Sequence, residues 1–363
     1  MNTHASQATN SKLQRLHGLD FCRAIFMILG LFYHAALIYS TDYIWRVTDT
    51  ESSSYLTTLA SFVHAFRMEA FYLISGFFYL LVFTKNYEGF LQERLTRVIP
   101  PLLLCGLLIN PIMNLYSYER TYDWSSITYF INGQWLGHLW FLGNLIVYFV
   151  FGYPFCKKII KIDSISRTNF IIIFCFLVPF ISLVFLVLSK WLFSGSFIFV
   201  SFDLLFEYFP YFLFGALCFQ FKDHFISLLT YKVAFVCFLI YFLGIKFVNM
   251  ELFFNLGSNV SKAASKLIEG FLVLSMTALF YNIGKGGSKA VRLISDASYT
   301  TYLLHQPLIV IIYYLSFKGV RLNVYLEYTI IIVLTFLISI FWHFYSVKKH
   351  PILSYLFNGV KPR

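Results

Sequence analysis

Apolar residues run through this chain in long blocks separated by short polar links. Ten blocks can be placed, at roughly 19–40, 60–83, 98–116, 138–156, 169–189, 203–221, 230–247, 266–284, 298–316 and 324–346. A helix needs about 20 apolar residues to cross ~30 Å of hydrocarbon. The pattern therefore predicts an all-α, polytopic membrane protein of about ten transmembrane helices, each closing its backbone hydrogen bonds internally. Residues 1–18 read as a polar cytoplasmic tail, 19–346 as the transmembrane domain and 347–363 as a basic cytoplasmic tail. The first apolar block carries Arg23 and lacks a small-residue cleavage site, so it reads as a span and not as a signal peptide. No internal repeat or low-complexity linker is visible.

Composition sharpens this. Of 363 residues, 59% are hydrophobic and only 12% charged, against about 25% charged in a soluble domain. A disordered chain is excluded and a soluble enzyme is disfavoured. The net charge of +11 does not call for a nucleic-acid partner, because loop bias explains it. With the N-terminus in the cytoplasm, 18 of the 28 Lys and Arg fall on the cytoplasmic side and 8, Lys266 among them, in outer loops, with Arg23 and Arg67 inside spans. That asymmetry puts both termini inside. Trp45, Trp124, Trp135, Trp140 and Trp191 then gather near the outer boundary, as an interfacial belt would. The six cysteines form no Cys-x-x-Cys pair, so neither a metal site nor a disulfide framework is expected.

Charges inside hydrocarbon cost about 2.5–3.5 kcal/mol each on the insertion scale, so those that persist are candidates for function. The first block, LDFCRAIFMILGLFYHAALIYS, holds Arg23 and His34. Eleven residues separate them, which is roughly 20° beyond three helical turns and about 16 Å along the axis. Both project from one face, Arg23 near the cytoplasmic end and His34 in the outer third. The second block enters from outside with SFVHAFRMEAF, bringing His64 and Arg67 to the depth of His34 on a shared face. Glu69 lies two residues from Arg67 and cannot face it, so Arg67 is expected to find another partner. His138 opens the fourth block at the same depth. These groups suggest a polar chamber open to the outside. Near the cytoplasmic face, LQERLTRVIPP places Arg94 and Arg97 one turn apart. With Arg23, and with His305 as a candidate fourth member, they suggest a cationic pocket suited to phosphates. Asp203, Glu207, Glu269 and Glu327 read as counter-ions.

These stretches, in this order, resemble acyltransferase family 3. The resemblance rests on the Arg-x10-His of Arg23 and His34, FYLISGFF, the Arg-x-x-Arg of Arg94 and Arg97, HLWFL at 138–142 and SYTTYLLHQPL at 298–308. It implies a ten-span acyltransferase of the bacterial inner membrane that uses cytoplasmic acyl-coenzyme A as donor and a hydroxyl of an extracytoplasmic carbohydrate as acceptor. No permanently bound cofactor or metal is implied. Arg23, Arg94, Arg97 and His305 would hold the donor, and His34 would be the base, with His64 and His138 near it. Arg67 or His138 would stabilise the oxyanion. The signature position often occupied by Gly after the Arg is Ala24 here. Two other readings compete: a transporter or flippase lined by the same charges, and a structural membrane protein. A transporter would be expected to show repeats and broken helices at matching positions.

Overall fold

The computed structural model describes residues 16–85, 88–117, 126–193, 196–249, 258–320 and 322–360. Among these, ten long helical passes follow one another: α1 (His17–Leu37), α2 (Ser54–Lys85), α3 (Phe90–Leu115), α4 (Trp140–Ile159), α5 (Arg167–Leu192), α6 (Phe202–Gln220), α7 (Tyr231–Val248), α8 (Ser258–Gly284), α9 (Lys289–Ser316) and α10 (Val324–Val347). The only strands among the described residues are β1 (Ser196–Phe197) and β2 (Val200–Ser201), a small antiparallel pair. The expected all-α membrane architecture holds.

Among the described residues nine helical segments are long and apolar enough to cross a membrane by length and composition. The exception is α9, although it has 28 residues. Its middle carries Ser298, Thr300, Thr301, His305 and Gln306, all buried. They lower its apolar content because they face protein, where polar groups can be partnered, and not lipid. Its first turn is capped by Ser288, whose hydroxyl accepts from the Val291 amide.

The bundle is centred on α2, which buries 78% of its most apolar stretch, whereas α7 buries only 17%. Helix α1 packs on α2, α8 and α9, and α2 packs on α6. Aromatic rings fill the α2–α4–α6 junction. Tyr72 stacks on Tyr208 at 5.3 Å and meets Tyr148 edge-on at 5.1 Å. The Tyr79 hydroxyl donates to the Phe149 carbonyl. π-Helical turns interrupt α3 at Cys105–Ile109, α5 at Ile173–Leu177 and α10 at His343–Val347.

Within the basic segment after residue 347, Pro351–Asn358 is a helix packed against α3. Of the expected tail at the other end, residues 1–15 lie outside the described residues. The tryptophans do not form a simple belt. Trp191 is 80% exposed, but Trp135 is buried and bonded to the Ile198 carbonyl, Trp140 stacks on Tyr208 and Trp45 on His34. Trp124 lies outside the described residues. Finally, α8 starts well before residue 266, so Lys266 belongs to a helix and not to an outer loop. All six cysteines are free and buried.

Candidate functional site

Two regions collect the side chains singled out above. The first is a chamber at the far end of α1. Here the His34 ring lies 5.3 Å from that of His305, and His305 lies 5.1 Å from His138. The three rings come from α1, α9 and the 3-10 turn Gln134–Leu139 that leads into α4. Gly137 in that turn takes φ +53°, a conformation that side chains resist. It redirects the chain immediately before His138.

Pro307 explains how His138 is held. Lacking an N–H, it leaves the carbonyl four residues earlier, that of Leu303, without its helical donor. His138 Nε2 fills the gap, donating to Leu303 O at 3.3 Å. In return the Tyr302 hydroxyl donates to the His138 carbonyl at 2.5 Å. His305 Nδ1 donates to Tyr302 O at 2.5 Å. Because carbonyls only accept, these contacts fix the neutral tautomers, with His138 Nδ1 and His305 Nε2 left as acceptors. Both atoms are buried and without a partner.

His34 differs. Its Nδ1 sits 3.4 Å from the Gln306 side-chain amide, whose two ends are interchangeable by a flip. With the amide oxygen turned toward it, Nδ1–H donates and Nε2 carries the lone pair. Among the three chamber histidines only His34 is part-exposed, while His138 and His305 are 5% and 0% exposed. Trp45 stacks on this ring at 5.5 Å.

Arg67 completes the chamber. It is 6% exposed and, among the described residues, has no ion pair or hydrogen bond. Its guanidinium lies 5.2 Å from the Tyr33 ring, a cation–π contact. Gly30 makes room for it, since a Cβ there would come within 2.4 Å of Arg67 Nη1 and 3.4 Å of His305 Nε2. His64 is exposed and stacks on Tyr33 at 5.4 Å, one ring removed from His34.

The second region is a cavity of about 470 Å³ at the other end of α1. Arg23, Arg94, Arg97 and Lys348 line it, together with Ser298, Tyr299 and His343, and Met27, Phe71 and Phe141. Arg23 and Arg94 both engage Phe78, Arg23 over its ring at 5.0 Å and Arg94 through its carbonyl at 3.0 Å. Arg23 also pairs with Asp20 at 3.5 Å, and Arg97 with Glu93 at 3.2 Å. The Tyr299 hydroxyl donates to the Arg97 carbonyl. Cavity and chamber meet through a ring: Phe141 packs on Tyr302 at 4.6 Å, and Tyr302 lies 5.6 Å from His138 and 5.4 Å from His305.

The arrangement corrects one grouping. His305 does not join the arginines; α9 carries it up to His34 and His138. Arg23, Arg94 and Arg97 are brought together as expected, as are His34, Arg67 and His138. Arg67 indeed does not pair with Glu69. That carboxylate meets Lys266 Nζ at 2.7 Å, which also binds Glu207 and Glu269, each at 2.8 Å. Glu207 and Glu269 thus serve as counter-ions, and their partner is a lysine of α8. Gln306 and His343 were not singled out as site residues. Among the described residues no group of His, Cys, Asp and Glu suited to a metal is present.

Comparisons with known proteins bear on the family of the chain. The acyltransferase-3 model, described as an acyltransferase domain, matches residues 16–343. Glucans biosynthesis protein C of Shigella dysenteriae serotype 1 (strain Sd197) is 29% identical, covering 95% of each chain. Its namesake in Escherichia coli (strain K12) is 28% identical over the same share of each chain. That of Escherichia coli O139:H28 (strain E24377A / ETEC) is 32% identical over 58% of this chain and 60% of its own. No solved structure gives a significant match. The chain therefore belongs to acyltransferase family 3, a membrane acyltransferase that transfers groups other than amino-acyl groups.

Proposed function

We propose that this enzyme moves an acetyl or succinyl group from cytoplasmic acyl-coenzyme A to a hydroxyl of an extracytoplasmic glycan, in a bacterial inner membrane with both termini cytoplasmic. The relatives' name brings in glucan, and an osmoregulated periplasmic glucan is the acceptor we favour. The observation that carries the reading is the juxtaposition of two regions on α1. An arginine-lined cavity ends on Phe141, and one ring further on stand three histidines and the buried Arg67. Guanidinium groups suit the donor's phosphates. Arg23 and His34 stand about 16 Å apart on the helix, a span for an extended pantetheine arm.

In the proposed chemistry His34 Nε2 removes the proton from the acceptor hydroxyl. The oxygen attacks the thioester carbonyl, and a C–O bond forms. Arg67, buried and without an anionic partner among the described residues, takes the charge of the tetrahedral oxyanion. His138 is poorly suited to that task, because its donor nitrogen is engaged with Leu303 O and its other nitrogen is an acceptor. Collapse breaks the C–S bond, and the proton on His34 passes to the departing thiolate. His305 borders this step as a neighbour of His34. His64, one ring away, is placed to meet the acceptor.

The test is coenzyme A release by purified protein from acetyl- and succinyl-coenzyme A, with and without candidate glucans. Acceptor-dependent release supports the reading. Release that ignores every glycan, or no donor binding at all, contradicts it.

A further inference from the structure

Buried polar atoms without partners are rare in folded proteins and call for an explanation. In this chain several cluster at the two regions just described. The chamber holds Arg67 Nε, His138 Nδ1 and His305 Nε2, and the cavity lining holds Arg94 Nε, Ser295 Oγ and His343 Nε2. The arginine is accounted for by the donor's phosphates. The imidazole is not.

His343 is 2% exposed and stands on the first residue of the π-helical turn of α10. Such turns often occur at functional sites. Its Nδ1 is 2.8 Å from Thr300 Oγ1, which anchors the ring to α9. Thr300 lies five residues before His305 on that helix, about 7.5 Å toward the arginine end. His343 thus lines the arginine cavity and is tied to α9, the helix that leads on to His305 in the chamber.

We propose that His343 binds the amide-bearing arm of the donor, making through Nε2 one hydrogen bond to an amide of the pantetheine chain. The chemistry favours an amide. The Thr300 hydroxyl can donate to Nδ1 or accept from it, so Nε2 is a donor in one tautomer and an acceptor in the other. An amide offers both a carbonyl and an N–H, and either tautomer finds a match. Met27 and Phe71 on the same lining suit the apolar stretches of this arm. The inference rests on the donor reading above.

The experiment measures binding of acyl-coenzyme A and of the phosphate-free acyl-pantetheine to wild type and to His343→Leu, His343→Gln and Arg94→Ala. His343→Leu should weaken both donors by about tenfold, the loss of one neutral hydrogen bond. His343→Gln, which can still donate and accept, should recover most of that loss. Arg94→Ala should weaken acyl-coenzyme A and leave acyl-pantetheine unchanged. A donor analogue whose arm amides are replaced by methylenes should bind wild type about tenfold less tightly and show no further loss with His343→Leu, a coupling that a structural role would not give. That analogue also tests the proposal on wild type alone should His343→Leu fail to insert. Equal binding of the amide and methylene donors to wild type, or unchanged donor affinity in His343→Leu, overturns the role of His343 while leaving the donor reading intact. A wild-type protein that binds neither donor overturns both.

Discussion

Replacing Arg67 with Met should separate activity from stability, with opposite signs. Arg67 is 6% exposed and has no ion pair or hydrogen bond among the described residues. Burying an ion costs several kcal/mol, even after relaxation. The contact with Tyr33 at 5.2 Å returns about 0.5–2 kcal/mol. The resting protein therefore carries a net electrostatic penalty at this position. Methionine removes the charge at similar length and adapts to irregular space. Arg67→Met should unfold at the same temperature as wild type or higher. Turnover should fall by about 10²–10³, or ~2.7–4 kcal/mol, the usual cost of deleting an oxyanion donor. Arg67→Lys keeps the charge but loses the planar fork, and should fall between the two. Thermal unfolding in detergent and coenzyme A release read the two effects separately. Turnover within about threefold of wild type would refute the catalytic role. A collapse in melting temperature would refute the reasoning about stability, because it would mean that the guanidinium is structurally paired.

Two further substitutions probe the supports. Gln306→Leu removes the partner of His34 Nδ1; kcat should drop by about tenfold with donor KM unchanged, measured by steady-state kinetics. Lys266→Met leaves Glu69, Glu207 and Glu269 without their shared counter-ion, so thermal or denaturant unfolding should show a loss of about 3–5 kcal/mol.

The helical architecture was legible because apolar block length alone dictates spans in lipid. Depth along a span was legible where the residue lies near the end of an apolar block. His34, Arg67 and His138 could be set at one level for that reason. His305 could not, since the apolar block at 298–316 covers only part of its helix. The helix begins at Lys289, and sixteen residues of rise, about 24 Å, carry His305 to the far chamber. The same shortfall of block against helix hid Lys266. Pro307 was the readable clue to His138, because a missing N–H frees one specific carbonyl. Gln306 and His343 carried no signal of their own, because their importance lies in what packs against them. Family membership also sets aside the transporter and structural readings, which the buried charges alone had left open.

The central claim is that His34 is the base that activates the acceptor hydroxyl. Its most direct test is the single-turnover rate of acyl transfer to a glycan by His34→Gln, at saturating donor and with insertion and donor binding shown to match wild type. Glutamine keeps a polar side chain but cannot accept the proton, and general base catalysis typically contributes 10²–10⁴-fold. The account predicts a loss of at least about a hundredfold. A variant that retains more than about a tenth of the wild-type rate, an order of magnitude short of that loss, would contradict it and make His34 a structural residue.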